Sequence, residues 1–114
     1  EKAVELVMNY LVKAYNDGSD KLAREKMHNA STIAGMAFTN ALLGIVHSLA
    51  HKTGAVFQDC GAHIVHGAAN AMYLPKVIAF NSRDLEAKKR YATIADYMHL
   101  SGANEDEKVA SLRL

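Results

Sequence analysis

Residues 20–44 read DKLAREKMHNASTIAGMAFTNALLG, a long stretch with the apolar spacing of one helix. Asp20 is a residue type that caps helix N-termini. The apolar side of the stretch is built mostly of small residues, namely Ala30, Ala34, Gly35, Ala37 and Ala41, with volume supplied by Ile33 and Phe38. Small side chains let a neighbouring backbone approach closely. The pattern therefore predicts a helix at the centre of a bundle rather than on its surface.

Helical periodicity continues on both sides of this stretch, and no strand-like alternation persists. An N-terminal helix that Gly18 ends would have one apolar face, formed by Val4, Val7, Leu11 and Tyr15. In a later amphipathic helix, the side chains facing the core would be those of Leu85, Ala92, Ile94 and Tyr97. Asn104 can cap a last helix. We therefore predict an all-α helical bundle, with residues 1–114 forming a single domain.

Composition and charge exclude several functional classes. Half of the 114 residues are hydrophobic and 22% are charged, which is typical of a globular protein. The net charge of +1 lacks the basic excess of a nucleic-acid-binding surface. No apolar run reaches the length of a membrane span, and no signal peptide opens the sequence. We expect neither nucleic acid nor membrane as a partner.

The cysteine content bears on the cellular location of the protein, and the two ends of the sequence bear on whether it is part of a longer polypeptide. Cys60 is the single cysteine and cannot form an internal disulfide, which favours a cytoplasmic location. The sequence begins at Glu1 inside an amphipathic pattern and stops at EKVASLRL, again within a pattern. We therefore expect a piece of a longer polypeptide.

Residues 44–67, GIVHSLAHKTGAVFQDCGAHIVHG, contain four of the six histidines. Gly44 predicts a break or bend after the preceding helix. The following residues predict a short helix that ends at Gly54 and a loop over AVFQDCGAH. The next helix would run from about Gly67 to Phe80, with a kink or an already missing hydrogen bond at Pro75.

Two of these histidines, His47 and His51, are four residues apart and would lie on one helix face. This spacing suits one metal ion held by two imidazoles, or one ligand beside a reactive neighbour. His66 could fold back over the same face, so His47, His51 and His66 are all candidate ligands. Asp59 is the nearest carboxylate. The alternative is a helical binding or scaffold module with structural histidines, the interpretation that also suits His28 and His99.

Three segments resemble one enzyme family. EKMHNASTIAGMAFTNALLGIVHSLAHKTGA, HIVHGAANAMYLPKVIAFN and RYATIADYMHLSGANEDEKVASL are similar to the C-terminal helical domain of iron-containing (group III) alcohol dehydrogenases. They especially resemble the alcohol dehydrogenase part of bifunctional aldehyde–alcohol dehydrogenases. The motif on which the resemblance rests is His-x-x-x-His, followed by a loop and by a His-Gly segment that leads into Ala-Asn-Ala. The resemblance extends over essentially the whole chain.

The resemblance implies an oxidoreductase that interconverts small alcohols and aldehydes with NAD or NADP. An N-terminal nucleotide-binding domain, absent here, would face the helical domain across a cleft that holds Fe²⁺ or Zn²⁺. His47 and His66 would be the last two of four metal ligands, and His51 a non-ligating histidine that relays a proton. The aspartate and the first histidine of the family's ligand set are absent, so the chain alone would be inactive. The cofactor-binding residues, the preferred alcohol and homo-oligomerisation stay open.

Two departures from the family pattern bear on the second ligand. The loop FQDCGAHIVHG is several residues longer than the common pattern, and Val65 replaces the usual proline before His66. Either change could allow His63 to coordinate instead. The segment GAANA after His66 matches the family's helix start, and it favours His66.

Overall fold

The computed structural model describes residues 1–113; Leu114, the last residue of the predicted domain, lies outside them. The elements in chain order are α1 Lys2–Asn16, α2 Lys21–Ala41, α3 Ile45–Asp59, α4 His66–Asn81, α5 Leu85–Tyr97 and α6 Glu105–Leu112. No strand occurs within residues 1–113, which confirms the all-α prediction. That residues 1–114 are one domain stays a prediction.

The helices pack as three successive pairs, α1 with α2, α3 with α4 and α5 with α6. Sparser contacts join α1 to α5, and α4 to both α5 and α6. The core is made mainly of small residues, which are Ala23, Ala30, Ala50, Ala69, Ala92 and Ala95, together with Val77, Ile78 and Val109. Close helix pairing on alanines places α3 and α4 against each other, and with them His47, His51 and His66.

Helix starts agree with the predicted caps. The Asp20 side chain accepts a hydrogen bond from the Ala23 backbone N–H at 2.9 Å, and Asn104 accepts one from Glu107 at 2.9 Å. Each bond satisfies a backbone donor that has no partner inside its helix. The two capping predictions are therefore confirmed.

The predicted central position of α2 is wrong for the described part of the chain. Of the helices in residues 1–113, only α1 packs against α2, and Ile33 and Phe38 are 36% and 48% exposed. At 1.5 Å per residue, the 15-residue α1 is about 22 Å long and the 21-residue α2 about 31 Å. The shorter helix cannot cover the longer one, so much of the small-residue side of α2 has no neighbour here.

Several predicted inward positions are exposed for a similar reason. Ala92 is buried and Ile94 half-buried, but Leu85 and Tyr97, the first and last residues of α5, are exposed. The main partner of α5 is the eight-residue α6, about 12 Å long, which is too short to cover both ends of α5. On α1, Val4 and Val7 are half-buried, while Leu11 and Tyr15 are exposed.

The break predicted at Gly44 is confirmed. α2 stops at Ala41, Leu42 adopts a φ of 66°, and α3 starts at Ile45 with its axis turned by 101°. Over the described residues, no single helix is long and apolar enough to cross a membrane. The bent α2–α3 pair meets the length and composition of a membrane span only when both helices are taken together.

The predicted end of α3 at Gly54 is wrong, and so is the predicted loop over Ala55–Asp59. The helix continues to Asp59 because the terminating glycine is Gly61, which has a φ of 76°. Gly61 N–H donates to Gln58 O at 3.0 Å, and Ala62 N–H donates to Phe57 O at 2.8 Å. This pair of bonds is the Schellman motif, which favours glycine at the left-handed position. α4 then spans His66–Asn81 and continues through Pro75.

Gly102 is the position where an added methyl group is expected to disturb the α5–α6 pair. An alanine Cβ there would lie 2.6 Å from the backbone nitrogen of Lys108 and 2.8 Å from its Cγ. We expect Gly102→Ala to destabilise by about 1–3 kcal/mol, because the backbone of α6 must shift. The measurement is the thermal midpoint of the full-length protein. Gly18→Ala, in the exposed turn between α1 and α2, is the control, since its Cβ meets nothing within 4 Å; an unchanged midpoint for Gly102→Ala would contradict the packing argument.

Candidate metal centre

The α3–α4 pair positions three of the predicted histidines. α3 starts at Ile45, so His47 lies in its first turn and His51 one turn later on the same face. His66 is the first residue of α4. The helices are held in register by a 2.6 Å hydrogen bond between the hydroxyls of Thr53 and Tyr73. The start of α4 is thereby held beside the start of α3.

The imidazole rings of His47, His51 and His66 form one group, which we call the histidine cluster. Ring centroids are 4.8 Å apart for His47 and His51, 4.6 Å for His47 and His66, and 4.8 Å for His51 and His66. The Nε2 atoms of His47 and His66 are 3.2 Å apart. His47 is half-buried and the other two are exposed. The structure thus brings together all three histidines singled out from the sequence.

The spacing of this cluster fits a metal ion. Imidazole nitrogens bind Zn²⁺ at about 2.0–2.1 Å, so two ligands at a near-tetrahedral angle lie roughly 3.3 Å apart. The 3.2 Å between the two Nε2 atoms matches that separation. One ligand atom from each of the three histidines can be chosen within 4.8 Å of the others. Proximity alone therefore does not separate ligands from a neighbouring histidine.

Local electrostatics favour the ligand form of His47. Its pKa lies below the ordinary value because partial burial disfavours the charged imidazolium. Repulsion from His66 and then His51 adds to this shift. A lowered pKa keeps the ring neutral at neutral pH, and neutral imidazole is the form that binds a metal ion.

The other candidate residues lie outside the cluster. His63, in the loop before α4, lines a groove of about 400 Å³ together with His51 and His66. Asp59 ends α3 and is exposed. His28 and His99 are exposed on α2 and in the turn after α5, and the structural interpretation given to them stays a prediction.

Asn70 is a residue of this site that the sequence analysis missed. It lies one turn after His66 on α4, and its Nδ2 is 3.0 Å from His66 Nε2 and 3.1 Å from His66 O. The signal available in the sequence was the four-residue spacing of histidine and asparagine at a helix start. Spacing alone gives no reason to choose this asparagine over others.

A groove of about 540 Å³ adjoins the cluster at His47 and Asn70. Its apolar lining comes from the α2–α3 junction and from α4, chiefly Leu42, Leu43, Ile45, Val46, Ala71 and Leu74. The groove can accommodate a small apolar chain whose polar end reaches the histidines.

Comparison with known proteins agrees with the resemblance seen in the sequence. The model of the Fe-containing alcohol dehydrogenase family, C-terminal part, matches residues 1–113. The chain is 54% identical to the NADPH-dependent butanol dehydrogenase of Clostridium saccharobutylicum, over 97% of this chain and 26% of that protein. It is 48% identical to 1-propanol dehydrogenase PduQ of Citrobacter freundii, over 96% of this chain and 28% of that protein.

A third relative is a larger protein. Identity to the bifunctional aldehyde-alcohol dehydrogenase AdhE of Escherichia coli K12 is 42%, over 91% of this chain and 13% of that protein. The chain thus spans less than a third of the length of each of these relatives. The family resemblance predicted from the histidine motif is confirmed, and the chain belongs to the Fe-containing alcohol dehydrogenase family.

Proposed function

We propose that the whole protein is a metal-dependent, NAD(P)-linked alcohol dehydrogenase, and that this chain supplies part of its metal site. His47 and His66 are the proposed ligands from this chain. The observation that carries the proposal is the 3.2 Å separation of their Nε2 atoms. The remaining ligands and the nucleotide-binding domain would come from residues outside these 114, in agreement with the greater length of the relatives. By itself the chain would be inactive.

The proposed ion is Fe²⁺ or Zn²⁺, since imidazole ligands suit both. When bound, the ion would polarise the alcohol oxygen, and the nicotinamide would exchange hydride with the adjacent carbon. His47 contributes a ring that is neutral at neutral pH because its pKa is lowered. His66 contributes a second nitrogen on the opposite helix.

His51 is the proposed proton-transfer residue. Its ring centroid lies 4.8 Å from those of both His47 and His66, and the residue is exposed to solvent. A histidine in this position can take the hydroxyl proton during oxidation and pass it to water, because an imidazole ring can both accept and donate a proton.

The proposed substrates are small primary alcohols and the corresponding aldehydes. The apolar groove beside His47 would hold the alkyl chain. Two relatives are named for butanol and 1-propanol, which supports the same class. We further propose a cytoplasmic location, which the exposed single Cys60 favours, and leave homo-oligomerisation open.

The test is chelation of the full-length protein followed by reconstitution. We expect oxidation of 1-propanol or 1-butanol with NAD or NADP, loss of that activity after metal removal, and recovery with Fe²⁺ or Zn²⁺. Formation of NADH or NADPH is followed by absorbance, and the ion that restores the rate identifies the metal. Full activity in a protein shown to be metal-free would exclude the proposed mechanism. Absence of dehydrogenase activity with any alcohol would favour the helical scaffold alternative.

A further inference from the structure

Leu42, at the junction of α2 and α3, has a backbone conformation that is ordinarily restricted to glycine. Its φ of 66° and ψ of 173° lie in a region that residues with a Cβ rarely adopt, because the side chain crowds the backbone there. Leucine in this conformation is therefore strained, whereas glycine would not be. A side chain kept under such strain requires an interaction that offsets it.

A regular helix end does not account for the strain. In the described part of the chain, His99 is the other non-glycine residue with a positive φ, at 56°. Its N–H donates to Asp96 O and the N–H of Leu100 donates to Ala95 O, both at 3.0 Å, which is the Schellman motif. Around Leu42 the described residues form no such pair of bonds. The conformation of Leu42 thus lacks the local hydrogen bonds that explain the one at His99.

Burial does not offset the strain at Leu42 either. The residue is 80% exposed, so it gains little from contact with the described helices. Leu42 does line the apolar groove that adjoins His47, beside Leu43. A strained and exposed leucine is therefore presented to whatever molecule lies in that groove.

We propose that Leu42 is a specificity-determining residue, whose side chain contacts the alkyl chain of the alcohol that binds at the histidine cluster. The inference rests on the proposed function, in which this groove holds the alkyl chain. Each methylene group that Leu42 shields from water strengthens binding in the transition state. Ethanol has only a methyl group beyond the reacting carbon, so Leu42 favours 1-butanol over ethanol.

The experiment compares kcat/KM for 1-butanol and for ethanol in the metal-loaded full-length protein and in its Leu42→Ala variant. We expect the ratio of the two values to fall about 3- to 10-fold in the variant, since each buried methylene group contributes a factor of roughly four. A general loss of folding or of metal would lower both values and leave their ratio unchanged. An unchanged ratio would therefore overturn the inference.

Leu42→Gly tests whether the backbone is strained. The glycine and alanine variants differ by one methyl group, and at a position of ordinary φ the glycine variant is the less stable of the two. At Leu42 we expect the order to reverse, with Leu42→Gly melting about 1–4 °C above Leu42→Ala and showing the same lowered ratio. A lower thermal midpoint for Leu42→Gly than for Leu42→Ala would show no strain at this residue and overturn the inference.

His99 provides the matched control, because it also has a positive φ but does not line the groove. His99→Gly should melt above His99→Ala, and both variants should keep the ratio of the unaltered protein. A fall of the ratio in His99→Gly would mean that relief of backbone strain, rather than loss of the Leu42 side chain, changes the alcohol preference. That result would also overturn the inference.

The remaining polypeptide is the alternative partner of Leu42. If that polypeptide covers the side chain, Leu42→Ala should lower the thermal midpoint without changing the ratio, which contradicts the proposed role. Failure of the proposed function is distinguishable, because the unaltered protein would then show no metal-dependent oxidation of either alcohol. Activity in the unaltered protein, with an unchanged ratio in Leu42→Ala, would remove only the role of Leu42.

Discussion

Alanine at His66 is expected to remove the metal ion from the full-length protein and abolish alcohol oxidation, whereas alanine at His63 should leave both nearly unchanged. The two residues are three positions apart, but only His66 places a ring nitrogen beside His47, at 3.2 Å. Lewis-acid stabilisation by a metal ion amounts to several kcal/mol, so its loss should slow oxidation by about 10³-fold or more. Metal content by mass spectrometry and the rate of NAD(P)H formation measure the two effects.

The comparison includes two further variants. His47→Ala should behave as His66→Ala does, because it removes the other nitrogen of the same pair. His99→Ala removes an exposed histidine outside the cluster and should change neither quantity. Retention of metal by His66→Ala together with its loss from His63→Ala would mean that the extended loop delivers His63 to the ion in the full-length protein.

Alanine at His51 is expected to separate metal binding from turnover. The variant should keep its ion while its kcat falls by about 10²–10⁴-fold, the usual contribution of a positioned acid–base group. The reason is that His51 lies 4.8 Å, centroid to centroid, from both proposed ligands, and our proposal assigns it to proton transfer rather than to the ion. The measurements are metal content by mass spectrometry and kcat for alcohol oxidation.

The same variant tests the alternative left open by the spacing of the cluster. His47 and His51 are equivalent in the sequence pattern, and each offers a ligand atom within 4.8 Å of the others. Loss of the ion from His51→Ala would make His51 a ligand and remove the proposed relay. His28→Ala, on the exposed surface of α2, controls for removing a histidine elsewhere.

Features set by neighbouring residues could be predicted from the sequence. The caps at Asp20 and Asn104 depend on a backbone donor three residues away, and both are present. The shared face of His47 and His51 depends on one turn of helix. The break before α3 follows from the residues around Gly44. Each of these outcomes is local and needs no knowledge of the remaining chain.

Features that depend on packing between distant residues, or on which of two glycines ends a helix, could not be predicted from the sequence. Gly54 and Gly61 are both plausible helix ends, and the pairing of α3 with α4 allows the helix to continue through the first to the second. The position of α2 depends on the length of its neighbour. The 3.2 Å approach of His66 to His47 joins residues 19 positions apart, so spacing alone could not decide between His63 and His66.

The origin of both proposed ligands in one pair of successive helices has a consequence for assembly. Bringing together residues so close along the chain costs little loop entropy, and contacts of this kind form early in folding. The two nitrogen donors can therefore be in place once α3 pairs with α4, independently of the α1–α2 and α5–α6 pairs. Docking of the remaining polypeptide would then have to complete a half-built coordination sphere rather than create one.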